Sequence, residues 1–234
     1  MVDQQLLHRM PSQFARTLVQ RYAVGDVLYE LSERVLTVVG IEGAGVSLAD
    51  GTGEMRFATA INEASAALEQ AQEQFQRGPC VEAFKRGVVT VVADITKEGE
   101  RWPEFAETAL KEGFHSMAAI PMRLDGSRIG TLNLYRMAVH CWEDDEVEAA
   151  SLFADMATSY VVNATELERT RESVAQLEKA LESRIVIEQA KGVIAAERGL
   201  SVDKACEILR SHARNHHANL HEVAEAVVRL GLRL

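Results

Sequence analysis

Between Asp144 and Glu197 the chain carries no proline and one glycine, Gly192. Proline breaks a helix by removing a hydrogen bond and clashing with the preceding turn, so this stretch is free to run as one long helix. Along it, Phe153, Met156, Tyr160, Asn163, Leu167, Thr170, Val174, Leu177 and Leu181 recur at alternating threes and fours, the seam of a coiled coil. A parallel homodimer is the natural reading beyond Leu167. Near Phe153 and Met156 the helix is expected to lie on its own domain instead. Asn163 would fix register, because two facing amides satisfy each other in only one alignment.

Ahead of that helix the pattern alternates. Residues 13–38 predict an opening helix, with Leu18, Val24, Val27, Leu28, Leu31, Val35 and Leu36 on one face. GAGVSLAD and EMRFATAI flank Asp50-Gly51-Thr52-Gly53 and read as a hairpin. Glu63 to about Gln76 is helical in pattern, and Pro79 suits the first turn of a short helix that stops before Gly87. VVTVVADI reads as a buried strand. GERWPEFAETALKEG runs from loop to helix, and HSMAAIPMRL with RIGTLNLYRM forms a second hairpin around Asp125-Gly126. About five strands with interspersed helices predict an α+β domain, an antiparallel sheet flanked by helices. The long helix would then lead into a further helical region.

The order of these elements, with GPCVEAFKRGVVTVVADI, the WPEF segment and IPMRLDGSRIGTLNLYR, resembles a GAF domain over residues 20–162. In the last segment Gly130 leaves room for close packing, while Ile129, Leu132 and Leu134 supply sheet surface. The resemblance implies a sensor of small molecules or of relayed contacts, and leaves the ligand open. A ligand pocket between sheet and helices would be lined by Phe57, Cys80, Trp102, Phe105, Phe114, Met117 and Asn133. Cys80, at a helix start, is placed where the helix dipole would favour a thiolate. One GAF-fold enzyme class reduces free methionine sulfoxide with cysteines, but no companion thiol stands near Cys80. The expectation is therefore a protein that is not an enzyme and that needs no cofactor.

The C-terminal segment RIVIEQAKGVIAAERGLSVDKACEILRSHARNHHANLHEVAEAVV resembles an ANTAR domain over its whole length. The matching positions include Ile187 to Gly192, Arg198-Gly199-Leu200-Ser201, Ala205, Leu209, Ala213, Arg214, Leu220 and Val223-Ala224. That resemblance implies an all-α three-helix bundle binding paired RNA hairpins in nascent transcripts, which prevents transcription termination. From the residues themselves, Ser201 is a good cap for a helix running to about His216, and Asn219 for the next. Val202, Ala205, Leu209 and Ala213 would be buried, leaving Arg210, Arg214 and His217 on another face. Lys191 and Arg198, at a spacing of seven with Arg184, would meet phosphates on the preceding helix. From residue 161 onward there is no Phe, Trp or Tyr. Unpaired RNA bases usually stack on aromatic rings or guanidinium planes, so here Arg and His must serve, with Asn215 as a reader of base edges.

Charge divides along the same line. Residues 184–234 hold eight Lys or Arg against six Asp or Glu, with four histidines, whereas residues 1–183 hold seventeen against twenty-nine. A net charge of −10 argues against a nucleic-acid partner for the whole chain, but the acid lies almost entirely in the first part. Cys80, Cys141 and Cys206 stand in no CxxC spacing, which fits reduced thiols and no metal. No long uncharged apolar run exists, and the start MVDQQLLHRMPSQ lacks a secretory pattern, so no membrane partner and a cytoplasmic location are expected. The domain layout expected is an extension over 1–19, the GAF-like domain over 20–162, a coiled-coil linker over 163–183 and the RNA-binding module over 184–234. Two rivals stay open: a regulator reading duplex DNA with the second C-terminal helix, and the sulfoxide reductase.

Overall fold

The structure, a computed structural model, describes residue 2 and residues 23–234. The expected extension over 1–19, residue 2 apart, and the opening helix ahead of residue 23 lie outside the described residues. The chain separates into two compact units, one up to Thr165 and one from Glu166.

In the first unit α1 (Val24–Val39) precedes β1 (Gly43–Ala49), β2 (Met55–Ala60), α2 (Glu63–Phe75), α3 (Pro79–Arg86) and β3 (Thr90–Val92). A short 3-10 turn (Ile95–Lys97), α4 (Pro103–Lys111), β4 (Ser116–Leu124) and β5 (Ser127–Arg136) follow, and then α5 (Asp144–Arg198) begins. The strands form one sheet in the order β2-β1-β5-β4-β3, antiparallel throughout. Strand residues alternate between faces, so each strand feeds two cores. Ala118, Ile120 and Met122 of β4 with Leu132 and Leu134 of β5 pack toward α1 and the start of α5. Met117, Ala119 and Tyr135 turn to the other face, beneath α2, α3 and α4.

Local chemistry explains the boundaries. Asn62 caps α2 by accepting the Ser65 N–H at 2.8 Å. The β4–β5 turn places Asp125 at φ 48° and Gly126 at φ 81°, the left-handed pair that a two-residue hairpin loop requires. At Gly130 a Cβ would fall 2.2 Å from the Ser47 carbonyl oxygen, so only glycine lets β5 approach β1 this closely.

VVTVVADI departs from the expectation of a buried strand. Only Thr90–Val92 is extended, paired with β4 alone at the sheet edge, and although Thr90 and Val92 are buried, Val91 is 51% exposed. The Asp94 carboxylate accepts the Thr96 N–H and Oγ1–H at 3.1 and 2.6 Å, and this side-chain competition for backbone groups ends the strand.

The second unit holds the rest of α5, α6 (Val202–Asn215) and α7 (Leu220–Leu230) around Ala190, Ile194, Ala205, Leu209, Ala213, Val223, Ala224 and Val227. Ser201 caps α6 and Asn219 caps α7, as expected. Val202, expected in the buried stripe, is 48% exposed because it begins the helix, ahead of the first turn that meets α5 and α7. No helix among the described residues is long and apolar enough to cross a membrane.

Candidate nucleic-acid interface and sensor core

On α6 the residues four apart from Ala205 to Ala213 are buried, which turns Arg210 and Arg214 outward. Both guanidiniums are exposed, and among the described residues neither has a carboxylate within ion-pairing distance. Asn215, the last residue of α6, is exposed as well, and so is Arg198 at the end of α5.

Two of the expected RNA-contacting residues sit differently from a simple helical face. His217 lies beyond the end of α6 at φ 52°, so its direction is set by a left-handed turn rather than by a spacing of three from Arg214. Lys191 is held by Glu188, Nζ to the two carboxylate oxygens at 2.8 and 2.9 Å, with 15% of its side chain exposed. The bond to Glu188 raises its pKa above the usual lysine value, and the charge of Asp203 on α6 adds to this. Its ammonium is therefore already matched, and a phosphate would have to displace Glu188. His212 and His216 stack with ring centroids 4.0 Å apart, so each ring offers one remaining flat face. Among the described residues no group of three or more His, Cys, Asp or Glu is placed to hold a metal ion.

The residues of the expected seam divide at the boundary of the first unit. Phe153 and Tyr160 are buried at 1% and 5% exposure in that unit's own core. Tyr160 therefore does not belong to an intermolecular seam: its ring is used up by the sheet and α1. Further along α5, Leu167, Val174, Leu177 and Leu181 are exposed by 49%, 48%, 70% and 60%, and Asn163 is exposed too.

In the sensor unit the structure brings the expected pocket residues together but packs them as core. Cys80, Trp102, Phe105, Phe114, Met117 and Asn133 are all buried, Phe57 is half-buried, and Phe114 lies against Tyr135 with ring centroids 5.4 Å apart. The Cys80 thiolate expected from the helix dipole is overturned. Burial and the nearby Glu69 charge push its thiol well above the usual range, because desolvation removes more from the anion than the dipole of a short helix returns.

The sequence did not single out the centre of this face. Glu69 is fully buried, and no cation pairs with it among the described residues. Three neutral side chains donate to its carboxylate: Ser47 at 2.6 Å, Tyr135 at 2.6 Å, and Asn133 at 2.8 and 2.9 Å. A Cβ at Gly45 would fall 2.6 Å from Oε1, so the carboxyl lies flat on β1. Burial raises its pKa, and the bonds from Ser47, Tyr135 and Asn133 only partly restore the charged form. Ser65 Oγ, Gln72 Nε2, Thr131 Oγ1 and Asn133 Oδ1, also on this side, are buried without a hydrogen-bond partner. The signal was present in EASAALEQAQEQF: Ser65, Leu68, Glu69 and Gln72 share one helical face, the one that Leu68 must bury.

On the opposite face Arg136 ties three elements together. It donates to the Gly40 and Val39 carbonyls ending α1, at 2.9 and 3.1 Å, and to Glu146 on the first turn of α5 at 2.6 Å. His140 meets the other oxygen of Glu146 at 2.7 Å.

A sheet with helices on both faces is thus followed along the chain by a long helix and a small helical bundle. The chain belongs to the GAF family, whose model matches residues 24–161, and it continues into an ANTAR domain matched over residues 175–228. Together they make a signal-sensing regulator with an ANTAR RNA-binding domain. Among solved structures, the GAF domain of a phosphoenolpyruvate-protein phosphotransferase from Coxiella burnetii superposes with a TM-score of 0.55 at 16% identity, over 70% of this chain and 98% of that one. The corresponding Acinetobacter domain gives 0.54 at 10% identity, over 71% and 97%. Free methionine-R-sulfoxide reductase from Neisseria meningitidis, solved with its substrate, gives 0.53 at 15% identity, over 71% and 96%. These likenesses show the fold. No curated protein matches the chain at a significant level.

Proposed function

We propose that the protein is a cytoplasmic, signal-responsive antitermination regulator that binds paired hairpins in nascent RNA as a homodimer. One observation carries this reading: the ANTAR match falls on the module that leaves Arg210 and Arg214 exposed and unpaired among the described residues. In this reading Arg214 and Arg210 stack on or bond loop bases, Asn215 reads a base edge, and Arg198, Lys191 and His217 hold phosphates. The exposed stripe Leu167, Val174, Leu177 and Leu181 joins two copies, with Asn163 setting register, over a linker at 163–183 between a sensor at 20–162 and an output module at 184–234. Pairing is needed because one module carries little net positive charge, and two hairpins held together raise the effective concentration of the second contact.

The sensor responds to a small molecule or relayed signal and is not an enzyme. Its one thiol near the expected pocket, Cys80, is buried and protonated, whereas Cys141, the other cysteine of that unit, is exposed and lies beyond β5. Titration of the full chain with a paired-hairpin RNA and with duplex DNA, over a range of salt, tests the proposal. Tighter binding to the hairpins is expected. Preference for duplex DNA at every salt would replace it with a DNA-reading regulator, and turnover of free methionine sulfoxide that Cys80→Ser abolishes would replace it with an enzyme. Crosslinking to cellular RNA should enrich paired short hairpins.

A further inference from the structure

A groove of about 820 Å³ opens on the first unit between the β4–β5 turn, the end of α3 and α5. Its volume falls within the usual range for small-molecule sites. Arg123 and Arg128 stand directly opposite each other across the β4–β5 ladder. Like charges in that position destabilise a hairpin. Both side chains reach over the same point: from where a Cβ of Gly87 would sit, Arg123 Nη1 is 3.6 Å away and Arg128 Nε 3.9 Å. Arg128 donates to the Lys85 carbonyl at the end of α3, which orients it without neutralising it. Among the described residues neither guanidinium has a carboxylate within ion-pairing distance, although the third arginine of the groove, Arg86, is paired with Glu82 at 2.9 Å. Two like charges that converge on one place, with all donors but the one that Arg128 gives to Lys85 free of a carboxylate, form a fork suited to the oxygens of an anion.

We propose that this groove is a binding site for a small phosphate-bearing metabolite, its phosphate held between Arg123 and Arg128. Asp125 and Asp155 line the same groove, so the body of the ligand carries hydroxyl or amine donors, as a sugar phosphate does. Exposed Val88 gives that body an apolar surface. A polyanion such as RNA is disfavoured here, because residues 1–183 hold twenty-nine acidic against seventeen basic side chains. Ser151 and Asp155 belong to α5, so a bound ligand touches the helix that leads out of the unit. The inference supplies a ligand class for the sensor and rests on the sensor reading for its regulatory meaning alone.

Calorimetric titration and thermal unfolding of the full chain with ribose 5-phosphate, inorganic phosphate and ribose test it. Ribose 5-phosphate should bind saturably, more tightly than inorganic phosphate, while ribose should not bind. Arg123→Thr and Arg128→Gln should each weaken binding at least about tenfold. Without ligand, Arg123→Thr should unfold at a higher temperature than the parent, since it removes the like-charge pair, and added ribose 5-phosphate should stabilise the parent and not the variant. The proposal fails if phosphates leave the parent unfolding temperature unchanged, or shift both variants as far as the parent. It also fails if both variants lose hairpin RNA affinity in step with phosphate affinity, which would make the groove part of the RNA surface. Saturable phosphate binding in a chain that binds no hairpin would uphold the groove and overturn the regulator.

Discussion

The two units bury different chemistry. Every polar or charged residue classed as buried among the described residues, Ser47, Glu69, Gln72, Thr131, Asn133 and Glu146 included, lies in the first unit, whereas the buried residues of the second are apolar and His221 Nδ1 is its one sealed polar side-chain atom without a partner among the described residues. A buried polar group costs free energy unless its bonds are made, and partly satisfied networks are the expensive ones. The first unit therefore spends stability on an interior whose charge and hydrogen bonding can change, as suits a sensor. The second keeps its charged side chains outside its core, where a polyanion can reach Arg210 and Arg214.

Core truncation should break that comparison most sharply if it is wrong. Phe153→Ala, in the core shared by α1, the sheet and the start of α5, should destabilise the first unit by about 3 to 5 kcal/mol. Scanning calorimetry should show its transition fall in temperature while the transition of the second unit stays. One merged transition that shifts as a whole would show that the units are not separate in energy. Leu209→Ala, fully buried in the smaller core, should cost about 2 to 5 kcal/mol and move only the other transition.

Surface changes on the second unit test function without stability. Arg214→Ala should weaken hairpin binding by roughly 1 to 3 kcal/mol and leave unfolding unchanged, measured by fluorescence titration and calorimetry together. Lys191→Ala, by contrast, should change hairpin affinity less, because Glu188 already matches its charge. A larger loss at Lys191 than at Arg214 would move the interface onto α5. Asn219→Ala, which removes the cap of α7, should destabilise the second unit by about 1 kcal/mol.

The smallest effect concerns the buried carboxyl. Glu69 has a pKa above the unfolded value, so between those two values the folded chain binds more protons than the unfolded one. Its contribution to stability is present below the ordinary carboxylate range and is lost as pH rises through the folded value. Glu146 has the opposite sign. Burial pushes its carboxyl up, but His140, the Glu143 N–H and the Arg136 charge together lower it, so its contribution is lost as pH falls. Glu69→Gln should therefore flatten the decline of first-unit stability on the alkaline side of the carboxylate range, read from denaturant midpoints across pH. An unchanged profile would mean that the proton is not taken up there.

Legibility in the sequence followed the range of the cause. The long helix, the two hairpins, the Pro79 start and the Ser201 and Asn219 caps rest on neighbours in sequence, and they stand where expected. The buried reading of VVTVVADI held for Thr90 and Val92 and missed at Val91, because alternate residues of this short edge strand, paired with β4 alone, turn to opposite faces and only one of them meets the core. Tyr160 fitted a heptad equally well as seam or as core, and only the position of α1 and the sheet beside it decided for core.

By itself the sequence determined which segments are helix or strand, that a proline-free helix links an acidic part to a more basic one, and which arginines escape the small core. Periodicity and local charge are properties of the chain read in order. Only the tertiary structure decided that Glu69 is interior, that Cys80 is sealed, and that Arg123 and Arg128 converge over Gly87. Each of these turns on distances between residues far apart in sequence or on the way a turn folds back. No spacing along the chain encodes them, because packing chooses among faces that periodicity leaves equivalent.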